Sequence, residues 1–259
     1  MSDGHGERLV SVIIPAKDEA GSLGRLIPGI KESLNGYPYE IIVVDDGSRD
    51  GTRDIARNNG IVVLFHERNR GKGAAMKTGV GRARGEVLVF IDGDTAHDPR
   101  DIPVVMAPIL EGRADLVIGS RAFPESRVVV SPFVRRVSNA LASAAISVIC
   151  SLLLPLAMVG RCPFKRIRIT DCTSGFRAVR REGWQRLCLE SEGFQIETEM
   201  IYEAARNGLA ITEAPIGCNW SRELSRLSIV RDGTKTLGLL TRKLVCDALG
   251  AGPRRADGG

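Results

Sequence analysis

The stretch EIIVVDDGSRDGT, residues 40–52, contains the pattern that decides the fold. Four consecutive apolar residues are followed by Asp45 and Asp46, and a turn rich in small polar residues comes next. A short apolar run bounded by turn residues is typical of a strand that is buried on both faces. The stretch therefore predicts a buried strand whose carboxyl end carries acidic side chains and leads into a helix.

The same alternation of apolar runs and helical stretches fills the first 120 residues. We predict strands at 9–14, 40–45, 61–65, 86–91 and 115–118, and helices at 20–34, 51–59, 73–84 and 101–110. This order predicts an α/β fold with a mostly parallel sheet flanked by helices. Ligands of such sheets bind beyond the carboxyl ends of the strands. Acidic residues end three of these strands, which indicates one cleft there.

The rest of the chain adds helices at 182–189, 197–207 and 229–249 and a strand at 210–216. No linker marks a second domain. We therefore predict one domain over residues 9–250, with a disordered N-terminus at 1–8 and a disordered tail at 251–259.

Charge is distributed unevenly along the 259 residues. Residues 1–120 contain 15 basic and 18 acidic side chains, a net of −3, whereas residues 121–259 contain 21 and 13, a net of +8. The second half therefore favours an anionic partner. With only 2 Trp, 3 Tyr and 7 Phe, the chain has few side chains on which bases could stack. We expect no nucleic acid, and instead an anionic membrane surface or a phosphorylated lipid.

The six cysteines are widely spaced and form no C-x-x-C pair, and the N-terminus has no apolar signal core. This pattern predicts reduced thiols in a cytoplasmic protein, without disulfides or structural zinc.

Residues 137–160 form an uncharged segment of 24 residues that follows Arg135 and Arg136. About 20 apolar residues suffice to cross a bilayer. A single crossing would separate the motif that begins at Asp171 from the acidic cleft. Pro155 and the small polar residues favour instead a broken pair of helices, re-entrant or at the membrane interface, with no certain transmembrane anchor. A buried core helix is the alternative.

Asp92-Gly93-Asp94 follows the apolar run VLVFI, so two carboxylates meet in a turn at the end of a strand. Such oxygen donors suit Mg²⁺ or Mn²⁺, whose coordination a substrate phosphate can complete. An ordinary Asp- and Gly-containing turn is the alternative. The run Glu197-Thr198-Glu199 either includes a site carboxylate or is a solvated helix start. His66 and His97 lack metal-ligand spacing and are expected to be structural or loop residues.

The ordered motifs VSVIIPAKDE, EIIVVDDGSRDGT, GKGAAMKTG, VFIDGDTAHDP, VIGSR and TDCTSGFRA resemble the family-two glycosyltransferases of the GT-A fold. The similarity extends from about Val10 to about Lys243, and the branch that it most resembles is the dolichyl- or polyprenyl-phosphate mannosyltransferases.

The resemblance implies roles for residues at matching positions. The residues implied in binding the nucleotide sugar are Pro15, Lys17, Glu19, Val44, Asp46, Asp92, Gly93, Asp94, Arg121, Arg222 and Arg226. Asp92 and Asp94 would hold the metal, Mg²⁺ or Mn²⁺. The acceptor phosphate would meet Arg135, Arg136, Ser138, Thr173 and Ser174. Asp94, Arg121, Asp171 and Arg177 would be catalytic. Ala96 replaces a side chain that ligates the metal in some relatives, which leaves room for a water.

The implied activity is inverting transfer of a hexose, mannose from GDP-mannose, to dolichyl or polyprenyl phosphate at the cytoplasmic face of a membrane. Three enzymatic alternatives remain at this stage: a UDP-sugar donor (glucose or N-acetylglucosamine), a soluble phosphorylated acceptor, or a nucleotidyltransferase that uses the same acidic turn. A nucleotide-sugar-binding membrane protein is the non-enzymatic alternative.

Overall fold

The computed structural model describes residues 8–127, 133–158, 166–218 and 229–251. Within these ranges the strands are β1 (Val10–Ala16), β2 (Tyr39–Asp46), β3 (Val62–His66), β4 (Val87–Phe90), β5 (Leu116–Ser120), β6 (Arg177–Arg180) and β7 (Ile211–Pro215). They form one seven-stranded sheet in the order β3-β2-β1-β4-β6-β5-β7. Neighbours are parallel except that β6 is antiparallel to both β4 and β5. The predicted α/β class and mostly parallel sheet are confirmed, but β6 was not predicted as a strand.

The helices flank this sheet. Their bounds are α1 (Ala20–Ser33), α2 (Thr52–Asn58), α3 (Lys72–Arg82), α4 (Ile102–Leu110), α5 (Phe133–Val148), α6 (Leu154–Ala157), α7 (Arg181–Gln185), α8 (Gln195–Arg206) and α9 (Ile229–Ala248). A 3₁₀ turn, Pro99–Asp101, precedes α4. The predicted helix at 182–189 is shorter than expected, since α7 ends at Gln185. The segments predicted to be disordered, 1–8 and 251–259, lie almost entirely outside the described residues.

Alternation along the strands supplies an apolar layer to each face of the sheet. In β1, Val12 and Ile14 pack with α1 and α4 on one face. Ile13 points to the other face, where it packs with Met76 of α3 and Met200 of α8. Each of these side chains is at most 1% exposed. The sheet is therefore buried on both sides, and its carboxyl edge is left for binding.

The uncharged segment does not form the broken pair of helices that we expected. Helix α5, a π-helical turn over Ile149–Leu153 and α6 follow one another without a gap. Pro155 cannot donate a backbone hydrogen bond to the preceding turn, and a π turn accommodates such an interruption without ending the helix. The run Arg136–Ala157 has a mean hydropathy of 2.2 and is long enough to cross a membrane, by length and composition only.

One face of this helical run is apolar and exposed, and the other packs on the protein. Phe133 is 79% exposed, Leu141 68% and Leu156 53%. On the opposite face, Ile146, Cys150 and Leu154 are at most 2% exposed and pack against α8 and α9. The alternative of a fully buried core helix therefore does not describe this segment.

Candidate active site

The loops after β1 and β2 are joined at the carboxyl edge of the sheet. The backbone N–H of Asp18 donates to Ser48 Oγ at 2.9 Å, and Asp18 Oδ1 accepts from the Arg49 N–H at 2.8 Å. The Glu19 N–H donates to Thr52 Oγ1 at 2.8 Å. These bonds fix the chain that carries Pro15, Lys17 and Glu19, three predicted nucleotide-binding residues, at a partly exposed rim.

Both aspartates that end β2 are buried and bonded within the protein. Asp45 accepts from the Ser48 N–H at 2.8 Å and from Arg53 Nε at 3.0 Å. Asp46 accepts from His66 Nδ1 at 2.7 Å and from the N–H groups of Arg70 and Gly71 at 2.8 and 2.7 Å. Asp46 therefore holds the turn that begins α3.

Val44, predicted as a nucleotide-binding residue, is 0% exposed. Its side chain packs beneath α3 in the core. In this structure it supports the floor of the site and does not reach its surface.

The Asp92-Gly93-Asp94 turn lies between the end of β1 and a buried lysine. A Cβ on Gly93 would lie 3.4 Å from Ala16 Cβ, so the turn packs closely on β1. Lys72 Nζ lies 2.5 Å from Asp92 Oδ1 and 2.5 Å from Glu197 Oε1. Gly175 lies so close to the Asp92–Lys72 pair that any Cβ there would collide with it. This close approach is a steric reason for a glycine at this position of TDCTSGFRA.

The two acids of this turn, Asp92 and Asp94, have pKa shifts in opposite directions. Burial would raise the pKa of Asp92, but the charge and the hydrogen bond of Lys72, together with other nearby charges, outweigh burial and lower the pKa. Burial and the neighbouring Asp92 charge raise the pKa of Asp94 to about 6. Asp94 Oδ1 accepts one backbone bond, from the Ala96 N–H at 2.9 Å. The protein groups around this turn therefore do not fully neutralise the negative charge of its two carboxylates.

These residues fit a divalent cation that is bound largely through its substrate. No group of three or more His, Cys, Asp or Glu side chains in the described ranges is arranged to hold a metal. Two carboxylates from one turn supply hard oxygen donors, which is the donor type that Mg²⁺ and Mn²⁺ take when phosphates complete the coordination.

Arg121 follows β5 and is held by a buried carboxylate. Asp171, which is 0% exposed, accepts from Arg121 Nε at 2.7 Å, from Nη2 at 2.8 Å and from the backbone N–H at 3.0 Å. Arg121 Nη2 also donates to Thr173 Oγ1 at 3.1 Å. Burial would raise the pKa of Asp171, but the charge of Arg121 and the hydrogen bonds that it donates together outweigh burial and lower the pKa. Asp171 is thus an ionised partner that orients Arg121.

Arg177 and Ser174 face the interior. Arg177 is 0% exposed and donates to three main-chain carbonyls, those of Ser174, Glu197 and Cys172. Ser174 is also 0% exposed, and its hydroxyl accepts from the Phe176 N–H at 3.4 Å. In this geometry Arg177 joins the 172–174 loop to the start of α8, which is a supporting contact and not a contact with a ligand.

The site also contains residues for which the sequence predicted no role. Lys72 and Asn139 are among them, although the glycines on both sides of Lys72 mark its segment. For the run Glu197-Thr198-Glu199 two interpretations were open, and the structure pairs Glu197 with Lys72. His97, expected to be structural, is 4% exposed, and burial lowers its pKa to about 4. Among the described residues, none bonds to His97 Nδ1.

A cavity of about 1200 Å³ opens beside Arg121. Arg121, Thr173 and Glu197 line it, and so do the predicted acceptor residues Arg136 and Ser138. Much of the remaining wall consists of apolar side chains of α5 and α9, among them Phe133, Val137, Ile146, Leu237 and Leu240, and polar residues such as Asn139 and Asp232 also line the cavity. Phe133 and Leu237 are 79% and 63% exposed, so the mouth of the cavity is apolar and open.

Three predicted site residues cannot be placed at the site. Arg222 and Arg226 lie outside the described residues, and the side chain of Arg135 is not described. The structure brings Arg121, Asp171 and Thr173 together, and it places Asp92 and Asp94 in one turn at the same edge of the sheet. All five cysteines in the described ranges are free.

The model of the family described as glycosyl transferase family 2 matches residues 11–187. The chain therefore belongs to this family and is a glycosyltransferase. Over 222 residues it is 33% identical to an undecaprenyl-phosphate mannosyltransferase of Micrococcus luteus, covering 80% of this chain and 82% of that protein.

A dolichol-phosphate mannosyltransferase of Pyrococcus furiosus is 34% identical over 197 residues. The match covers 74% of this chain but only 52% of that protein, so this chain corresponds to about half of its length. Among solved structures, glucosyl-3-phosphoglycerate synthase of Mycobacterium tuberculosis, in complex with Mn²⁺, UDP and phosphoglyceric acid, superposes with a TM-score of 0.63. It is 24% identical and covers 96% of this chain and 80% of that one, which establishes the shared GT-A fold.

Proposed function

We propose that this protein is a metal-dependent, inverting glycosyltransferase that transfers mannose from GDP-mannose to a polyprenyl or dolichyl phosphate. The observation that carries the proposal is the cavity beside Arg121. Its polar side contains Arg121 and Thr173, and its mouth is formed by exposed apolar side chains of α5 and α9. A lipid phosphate has the same division between an anionic head and an apolar chain. We propose mannose as the sugar because two of the similar proteins are mannosyltransferases.

The mechanism needs charge and alignment more than a strong base. The phosphate oxygen of the acceptor is already anionic at neutral pH and can attack the sugar C1 directly. Arg121, oriented by Asp171, would stabilise the two phosphates that must approach each other. Asp92 and Asp94 would hold Mg²⁺ or Mn²⁺, which neutralises charge on the departing nucleoside diphosphate. A single in-line displacement inverts the configuration at C1.

The other predicted binding residues belong to the same proposal. Pro15, Lys17 and Glu19 would border the nucleotide, above Val44 and Asp46. Arg222 and Arg226 would approach the diphosphate, and Arg135, Arg136 and Ser138 the acceptor phosphate. The exposed apolar face of α5 would place the enzyme on the cytoplasmic surface of a membrane, where it meets its lipid acceptor.

The test is a transfer assay with liposomes that contain polyprenyl phosphate. GDP-mannose, UDP-glucose and UDP-N-acetylglucosamine, each radiolabelled, are offered separately with Mg²⁺ or Mn²⁺, and 3-phosphoglycerate replaces the lipid in a parallel arm. We expect label from GDP-mannose to enter the lipid phase, and EDTA and Asp94→Ala to abolish the transfer. Asp98→Asn, in the same loop, is the matched control and should retain activity, because the hydrogen bonds of the Asp98 carboxylate within the described residues come from Arg100.

Other outcomes would contradict specific parts of the proposal. Transfer to lipid from a UDP-sugar would refute the donor. Transfer to 3-phosphoglycerate alone would refute the lipid acceptor, and release of pyrophosphate would indicate a nucleotidyltransferase. Donor binding without transfer to any acceptor would support a binding protein.

A further inference from the structure

Four polar side chains form a stripe on the protein-facing side of the helical run. They are Asn139, Ser143, Ser147 and Ser151, each four residues after the last. Residues at this spacing lie above one another on one helix face. All four bond to the segment 167–173. The stripe therefore fastens this helix along its length to the segment that contains Asp171.

The serines make repeated bonds to the backbone of that segment. Ser151 Oγ accepts from the Ile167 N–H at 2.8 Å, Ser147 Oγ from the Ile169 N–H at 3.0 Å, and Ser143 Oγ from the Cys172 N–H at 2.9 Å. A buried backbone N–H needs such a partner. These bonds therefore fix the register between the helix and the segment, but they contact no side chain of the site.

Asn139 is the member of the stripe that reaches the reaction centre. Its Nδ2 donates to Asp171 Oδ1 at 3.0 Å, and its Oδ1 accepts from Thr173 Oγ1 at 2.9 Å. Asp171 and Thr173 also accept hydrogen bonds from Arg121. One amide on α5 thus holds two partners of the arginine.

The bonds to Asp171 show why this amide matters. Oδ2 accepts the backbone N–H and Nε of Arg121, and Oδ1 accepts Nη2 of Arg121 and the amide of Asn139. The bonds from Arg121, one of them from its backbone N–H, tie the carboxylate to the end of β5. The bond from Asn139 comes from a different element and ties the carboxylate to α5 as well.

We propose that Asn139 is a positioning residue that transmits the placement of helix α5 to Arg121 through the Asp171 carboxylate and the Thr173 hydroxyl. The proposal rests on the proposed function in one respect: Arg121 must face the reacting phosphates. Because the opposite face of α5 is apolar and exposed, a lipid surface that holds this helix also fixes the direction of Arg121.

The test compares Asn139→Ala with Ser151→Ala. Both variants remove one member of the stripe, but only Asn139 touches the partners of Arg121. We expect Asn139→Ala to lower kcat by roughly 10- to 100-fold, since a small misplacement of a reacting group has effects of this size. The KM for the donor should change little. Ser151→Ala should keep the wild-type kcat, and Asn139→Asp, which places a second carboxylate beside Asp171, should be at least as impaired as Asn139→Ala.

A second readout does not depend on catalysis. In protein labelled with ¹⁵N-arginine, the Nε–H resonance of Arg121 is assigned with Arg121→Lys. We expect this resonance to shift and its exchange with water to accelerate in Asn139→Ala but not in Ser151→Ala. An unchanged resonance, or equal losses of kcat in the two variants, would overturn the proposal. Absence of lipid transfer by the wild-type protein would contradict the proposed function, while the NMR comparison would still decide the role of Asn139.

Discussion

Asp94 ionises under two unfavourable influences, its own burial and the charge of Asp92, which together raise its pKa to about 6. The unfolded chain has an Asp pKa near 3.9. Above pH 6 the carboxylate is ionised in both states, and the folded state bears the larger electrostatic penalty. Below pH 4 it is protonated in both states and the penalty vanishes. This acid therefore destabilises the metal-free fold at neutral and alkaline pH.

Asp94→Asn should consequently stabilise the metal-free protein at pH 8 by up to about 3 kcal/mol, the equivalent of a two-unit pKa shift. The gain should shrink toward zero at pH 4. Urea unfolding at the two pH values in EDTA measures it. Asp98→Asn is the control, and it should lower the stability at pH 8 and not raise it. The hydrogen bond from Arg100 holds the pKa of Asp98 below its ordinary value, so the ionised carboxylate stabilises the fold. Equal stability of wild type and Asp94→Asn at pH 8 would contradict the argument.

The helical run from α5 to α6 is the element whose chemistry differs most between its two sides. Its protein-facing side contains the polar stripe and the buried Ile146 and Leu154. Its outer side exposes Leu141 and Leu152, which are 68% and 49% exposed. Such an exposed apolar face is typical of amphipathic helices that bind at a membrane interface, which is the placement that we propose for this run. Crossing the bilayer would instead break the bonds that the stripe makes with residues 167–173.

The double variant Leu141→Glu/Leu152→Glu should therefore weaken binding to anionic liposomes by at least about tenfold, because burying each leucine contributes on the order of 1.5–3 kcal/mol. Co-sedimentation measures the partition constant. Phe65→Glu is the matched control, since Phe65 is 51% exposed on β3 at the edge of the sheet, and it should bind as wild type does. Wild-type protein that fails to sediment with liposomes, or equal losses in both variants, would contradict membrane docking by this face.

Apolar patterning predicted the strands from β1 to β5 because each contains a continuous apolar run, although β3 at the sheet edge is only partly buried. It missed β6, whose sequence RAVR begins and ends with arginine. Arg177 can be buried there because the carbonyls of Cys172, Ser174 and Glu197 accept its N–H groups. An apolar pattern does not reveal such partners, one of which is on α8. The same apolar pattern also located the acidic turn, because this turn directly follows strand β4. The pairing of Lys72 with Glu197 joins residues 125 positions apart and needed the structure.

For the molecule as a whole, α9 is attached to the catalytic core through buried charges. Lys243, 5% exposed, lies 2.7 Å from Glu203 and 3.1 Å from Glu199, both on α8. Glu199 also accepts from the N–H groups of Glu190 and Ser191 at 2.9 Å each. The backbone carbonyl of the next residue, Glu192, accepts from the N–H of Ala74, two residues after Lys72. A continuous set of contacts thus links the C-terminal helix to the active-site turn.

Lys243→Met should lower the free energy of unfolding by about 3–5 kcal/mol, because it removes the buried ammonium group that pairs with Glu199 and Glu203. Lys235→Met, at an exposed lysine of the same helix, should change it by less than about 0.5 kcal/mol. Adding Glu203→Gln to Lys243→Met should recover part of the loss, since it removes one uncompensated charge, whereas loss of packing alone would not be recovered. Urea unfolding at pH 7.5 measures all three. Equal stability of the two lysine variants would mean that α9 is held by its apolar contacts and not by this ion pair.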